Sequence, residues 1–166
     1  ILEHYLKHCV FLLQNGGKWK VVNKDFDPKD ENSPKYYGYE YSKGINENTL
    51  QMKSTAYFPK ISSWKTSWDG FYTWNVKKQQ VIYQSISTTG AIVTGESENI
   101  VKSGMSFVNS MITTDGSEKK QKYMQTFTTN MFHSISYLQE NNNWEIQNTL
   151  SWSRLEQPTG NLTFMS

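Results

Sequence analysis

A helix-spaced apolar pattern occurs at one place only in this chain, and that restriction sets the fold class. Leu2, Tyr5, Leu6, Cys9, Val10 and Leu13 recur at three- and four-residue spacing, which places them on one face of a helix. Gly16-Gly17 stops it, so residues 1–15 are expected to form an N-terminal helix and plug. Beyond Gly17 no such pattern of useful length returns. The remainder divides into short runs separated by turn chemistry, which reads as all-β. Without crossover helices a parallel βαβ sheet is excluded.

The expected strands are Lys18–Lys24, Lys35–Ser42, Thr49–Tyr57, Ile61–Trp68, Phe71–Asn75, Gln80–Ser87, Ala91–Glu98, Met105–Thr113, Lys120–Thr129, Phe132–Gln139 and Trp144–Arg154. Asp69-Gly70 is read as a tight hairpin turn, because both residues tolerate the positive φ such turns need. The lysine clusters Lys77-Lys78 and Lys119-Lys120-Gln121-Lys122 are placed at turns. Roughly ten antiparallel strands with short connections make a sandwich or a barrel. The run of consecutive hairpin-type connections favours a closed up-and-down barrel, which also removes exposed edges. The chain is read as a single domain over 1–166, with the barrel over 17–155 and a tail over 156–166.

Composition narrows the class of function. A chain of 166 residues buries roughly 68–70% of its unfolded surface, so its core needs no staple. Cys9 is the sole cysteine, which excludes an intrachain disulfide, a Cys-rich metal site and a CxxC redox pair. The net charge is +2 and the lysines are mostly dispersed, unlike the basic patch of a nucleic-acid binder. No apolar run approaches the ~20 residues of a membrane-spanning helix. Ile1 stands where an initiator methionine would, so the chain is read as processed or truncated, from a bacterial cytoplasm or, after processing, the periplasm or exterior. Nothing in the sequence indicates an oligomeric state. Six Trp, ten Tyr and eight Phe suit half-buried pleated surfaces and a decorated interior.

In the last expected strand Trp144, Ile146, Asn148, Leu150, Trp152 and Arg154 share one face by period two, opposite Glu145, Gln147, Thr149, Ser151 and Ser153. Arg154, the only arginine, therefore points with the aromatic set. A guanidinium stays charged, stacks on indole faces and needs carbonyl acceptors. Trp19 opens the first strand, which must neighbour the last in a closed barrel, so Trp19 and Arg154 are the expected closure pair. The alternative is a surface arginine at a strand end.

These residues resemble a known family. Phe11-Leu12-Leu13-Gln14-Asn15-Gly16-Gly17-Lys18-Trp19 after the helix is similar to the "FLxGxW" opening of bacterial calycin-like proteins of unknown function, relatives of lipocalins, fatty-acid-binding proteins and nitrobindin haem barrels. Gly70-Phe71-Tyr72-Thr73-Trp74-Asn75 through Tyr83 resembles their central hairpin. The end, from Phe132 past Asn141-Asn142-Asn143-Trp144 to Trp152-Ser153-Arg154, resembles their closing hairpin. The resemblance implies a calycin-like barrel around a small molecule. Nitrobindins place a haem-ligating histidine near the C-terminus; here Lys20-Val21-Val22 follow Trp19 and no histidine lies beyond His133, so no haem and no other cofactor is expected.

The interior candidates are Tyr37, Tyr39, Trp64, Trp74, Tyr83, Phe107, Phe127, Trp144 and Trp152, with polar points at Asn109, Gln125 and Asn148. They suit a small apolar or amphipathic partner, since pockets are typically apolar with a few oriented polar groups. His133 is the candidate pocket acid, base or ligand. No nucleophile elbow, P-loop or dinucleotide fingerprint is present and no residue is assigned as catalytic. His4 and His8 are read as an ordinary helix face rather than a metal pair, and the acidic loop Asp25, Asp27, Asp30, Glu31 lacks calcium-ligand spacing. Glu96 and Glu98 are read as pointing to water. Asn161-Leu162-Thr163 is a short glycosylation sequon. Two other readings stay open: a barrel packed solid, serving structure or interaction, and an isomerase- or cyclase-type enzyme using the cavity with His133 or a tyrosine as proton donor.

Overall fold

The computed structural model describes residues 1–155. The expected tail 156–166 and its sequon lie outside the described residues. One helix, α1 (Leu2–Leu13), runs through a short 3-10 turn (Gln14–Gly16) into ten strands. They are β1 (Lys18–Val22), β2 (Tyr36–Lys43), β3 (Thr49–Phe58), β4 (Ser63–Asn75), β5 (Gln80–Ser87), β6 (Ile92–Val101), β7 (Gly104–Ile112), β8 (Glu118–Phe127), β9 (Phe132–Glu140) and β10 (Asn143–Arg154). Every strand pairs antiparallel with its neighbours in sequence, and β1 pairs with β10 to close the barrel. The architecture is a closed ten-strand antiparallel barrel with a short N-terminal helix, and it fits a calycin-like fold.

The helix plugs one end. Tyr5, His8, Cys9 and Leu12 are its buried face, one step round from the expected face, and Val10 is 59% exposed. The Tyr5 hydroxyl donates to the Asn48 carbonyl, and His8 Nε2 lies 2.8 Å from the Val101 carbonyl. These contacts tie the helix to the β2–β3 and β6–β7 connections. His8 is thus a buried anchor rather than surface, its ring stacked on Phe127 at 4.4 Å. Burial holds its pKa below the ordinary value, against the opposing pull of the Val101 and Gly104 carbonyls.

At the seam Trp19 is the register partner of Arg154. The guanidinium lies 4.2 Å from the Trp19 ring centroid and donates to the carbonyls of Gln14 at 2.9 Å and Phe11 at 3.3 Å. The Trp19 indole donates to the Leu12 carbonyl at 3.1 Å. Carbonyls at a helix C-terminus have no partner within the helix and attract positive charge, so this pair caps the plug as well as joining the ends of the sheet.

One misplaced turn and three bulges separate the structure from the expected strand pattern. Asp69-Gly70 makes no turn: it lies inside the continuous strand β4, where Gly70 pairs with both Met52 and Ser85. A Cβ on Gly70 would sit 2.1 Å from the Gln84 carbonyl oxygen, so close backbone approach, not positive φ, is the reason for glycine. Ser67 is bulged out of the β3–β4 ladder, Glu98 out of the β6–β7 ladder and Gln147 out of the β9–β10 ladder. Each bulge switches the face taken by the residues beyond it. Lys119, Lys120 and Lys122 lie within β8, not at a turn, while Lys77-Lys78 do occupy the β4–β5 turn.

Candidate functional site

Inward positions divide the barrel into a packed half under the helix and a hollow half beyond it. Leu12, Trp19, Leu50, Val81, Met105, Phe107 and Phe132 are fully or almost fully buried, and Trp152 stacks on Phe132 at 5.7 Å and meets Tyr39 at 4.4 Å. Past this layer is a cavity of about 230 Å³. Its walls are Tyr39 of β2, Met52 and Ser54 of β3, Trp68 and Tyr72 of β4, Tyr83 and Ser85 of β5, and Val93 of β6. Phe107, Asn109 and Met111 of β7, Gln121 and Tyr123 of β8 and Ser136 of β9 complete it, with Lys122 at its margin. The helix contributes no wall, and Val93 and Met111 place the cavity near the opposite mouth.

Strand alternation sets this wall. Trp68, Gly70, Tyr72 and Trp74 follow one another inward along β4 after the Ser67 bulge, and Tyr72 and Tyr83 are cross-strand partners with rings 4.7 Å apart. Tyr123 and Gln125 sit two apart on β8; the Gln125 amide donates to Tyr123 Oη at 3.2 Å and Tyr41 Oη at 3.4 Å. The Tyr83 hydroxyl donates to Ser85 Oγ at 2.9 Å, and the Trp152 indole to Ser134 Oγ at 2.9 Å.

Electrostatically the cavity is neutral. Burial, reinforced by neighbouring phenols, holds Tyr39, Tyr41 and Tyr72 well above the ordinary tyrosine value. Burial likewise pushes Tyr123 up, and lifts Tyr83 to about 12 against its bond to Ser85. These hydroxyls stay protonated through neutral pH and act as hydrogen-bond donors. Lys122 is the single charged residue of the wall, and its ammonium is engaged on the outer face, 3.6 Å from Glu98 and 5.0 Å from the Trp144 ring centroid. Two buried amide oxygens, Asn109 Oδ1 and Gln125 Oε1, have no partner among the described residues.

The sequence candidates fall in three places. Tyr39, Tyr83, Phe107 and Asn109 line the cavity. Trp74, Phe127, Trp152 and Gln125 face inward but belong to the layer beneath it: Trp74 stacks on Tyr5, Phe127 on His8, and Gln125 is buried among tyrosine hydroxyls. Tyr37 shares the inward side of β2 with Tyr39 and Tyr41 but is 37% exposed at the far rim and outside the cavity.

The expectation of an inward side chain is corrected at Trp64 and Trp144, and His133, the candidate pocket group, lies outside the cavity. Trp64 lies on the outer wall against Tyr57 and Tyr36, because the Ser67 bulge separates its face from that of Trp68. Trp144 pairs with Gln139, opposite in alternation to Leu138, and the Gln147 bulge puts it outside, under Lys122. His133 sits between inward Phe132 and Ser134, so it faces out, its Nδ1 2.8 Å from Ser151 Oγ. Asn148 keeps the inward register but is exposed, where β1 and β10 diverge.

Trp68, Tyr72 and Tyr123 were missed as wall residues by sequence reasoning. Tyr123 was within reach, since it shares the period-two face of Gln125 and Phe127. Tyr72 likewise shares the face of Trp74, and Trp68 that of Trp64 in the expected strand, although the Ser67 bulge sends those two tryptophans to opposite sides. Among the described residues no cluster of His, Cys, Asp and Glu is arranged to hold a metal, and no helix is long and apolar enough to cross a membrane. No family model and no curated protein sequence matches this chain.

Proposed function

We propose that this barrel binds a small apolar or amphipathic molecule in the cavity beyond the plug, without transforming it. The observation that carries this reading is the hollow itself, about 230 Å³ beyond the layer of buried aromatic and aliphatic side chains under the helix. Small barrels are able to fill their interior with side chains. The wall joins aromatic and methionine surface to a few oriented polar groups, the usual makeup of a ligand pocket. An apolar cavity of about 150 Å³ accepts benzene, so this one has room for a single substituted ring. Membership of the bacterial calycin-like proteins, read from the opening and closing motifs, belongs to the same proposal. Native mass spectrometry of the protein from its natural source tests it. A retained small molecule, released on denaturation and absent from a Val93→Trp variant that fills the cavity, is the expected result. The bare chain mass alone would overturn carriage.

A further inference from the structure

Among the four tyrosines of the cavity wall, Tyr72 alone has a hydroxyl with no hydrogen-bond partner among the described residues. Tyr72 is 4% exposed, its ring held by Tyr83 at 4.7 Å and Phe107 at 5.3 Å, and its hydroxyl makes no hydrogen bond among the described residues. The other phenols are engaged: Tyr83 with Ser85, Tyr123 with Tyr39 and Gln125, and Tyr41 with Gln125. Unlike the sealed Asn109 Oδ1 and Gln125 Oε1, the Tyr72 hydroxyl keeps accessible surface, so it opens on the cavity space. A protonated phenol that lines a cavity offers a donor to an incoming acceptor.

The wall also says what that acceptor is not. It holds no carboxylate, and its only cation turns its ammonium outward to Glu98 and Trp144. An anion placed here would be desolvated with no counter-ion, a cost that rises steeply in a dry site. The same holds for a cation, since no acidic side chain faces it.

Resting on the binding role proposed above, we infer that the cavity selects a neutral, one-ring molecule bearing an acceptor oxygen, a ketone or ether rather than a carboxylic acid, and that Tyr72 is the residue that recognises that oxygen. The aromatic and methionine walls take the ring, and the Tyr72 hydroxyl donates to the oxygen. This distinguishes the pocket from one that binds fatty acids as anions through a basic side chain.

Three probes of similar size separate the terms by titration calorimetry on the intact chain at neutral pH: acetophenone, ethylbenzene and benzoate. The expected order is acetophenone about 3- to 10-fold tighter than ethylbenzene, the scale of one net hydrogen bond. Benzoate is expected to be weaker than acetophenone by at least about 10-fold. In Tyr72→Phe the affinity for acetophenone falls to that for ethylbenzene. Benzoate binding as tightly as acetophenone would overturn the neutrality of the site, and equal binding of acetophenone and ethylbenzene to the unaltered chain would overturn the role of Tyr72; either leaves the pocket standing. Failure of all three probes would remove the binding role itself and this inference with it.

Discussion

Arg154 lies flat over Trp19, its guanidinium carbon 4.2 Å from the ring centroid, while the same guanidinium holds the Gln14 and Phe11 carbonyls at the end of the plug. The last residue of the last strand thereby fastens the first strand and the helix together. Burial lowers the arginine's pKa, but an arginine remains charged throughout the working pH range.

Arg154→Ala is expected to cost about 1.5–3 kcal/mol, the range for hydrogen bonds to a charged group. At this chain length that lowers Tm by several degrees. Arg154→Lys keeps the charge but loses the planar fork and is expected to restore less than half of the loss. Thermal unfolding of the two variants checks this, and unchanged Tm in Arg154→Ala would count against the seam as the fastening point.

The seam is also the shortest ladder in the barrel. β1 and β10 share two register pairs, Trp19 with Arg154 and Lys20 with Ser153, whereas β10 continues along β9 over nine. Few backbone hydrogen bonds mean low local stability. Hydrogen exchange should therefore open β1 and the β1-facing side of β10 before β3 and β4. Equal protection across the barrel would show the seam to be as firm as the rest.

His8 makes the plug sensitive to acid. Its folded pKa is lowered by burial from the ordinary 6.5, so below that value the unfolded chain binds more protons than the folded one. Stability then falls as pH drops from about 7 toward 5 and levels off once pH passes below the folded pKa. His8→Gln, which keeps a donor for the Val101 carbonyl, is expected to flatten the dependence of Tm on pH across that interval. An unchanged slope in the variant would assign the dependence to other groups.

Gly70→Ala is expected to destabilise by about 1–3 kcal/mol, because its Cβ would press on the Gln84 carbonyl and Ser85 across the β4–β5 ladder. Urea unfolding reads the loss. A neutral result would mean that the ladder opens there without cost.

That glycine shows where sequence reasoning stops. Asp-Gly carries a strong local signal for a turn, and the opposing fact, that Gln84 passes 2.1 Å from where its Cβ would be, exists only in the folded sheet. The same limit explains the tryptophans. Alternation from Arg154 back through Trp152 and Leu150 assigns the inward face of β10 because no irregularity lies between them. It fails at Trp144 because the Gln147 bulge intervenes, and no residue near Gln147 advertises a bulge. Trp64 fails in the same way at Ser67. Closure was legible because it depends on chemistry, an arginine that needs both a flat ring and carbonyls, rather than on counting. The helix face was misjudged by one step because His8 looks polar, whereas a single bond to Val101 makes it a core residue.

The central claim is that the hollow half of the barrel takes up a small molecule, and methyl NMR of the methionines tests it most directly. Met52 and Met111 line the cavity, whereas Met124 is 36% exposed on the opposite side of its strand from Tyr123. On titration with acetophenone, saturable shifts at the Met52 and Met111 methyls with Met124 unmoved are the predicted result; no shifts, or shifts at Met124 alone, would contradict it.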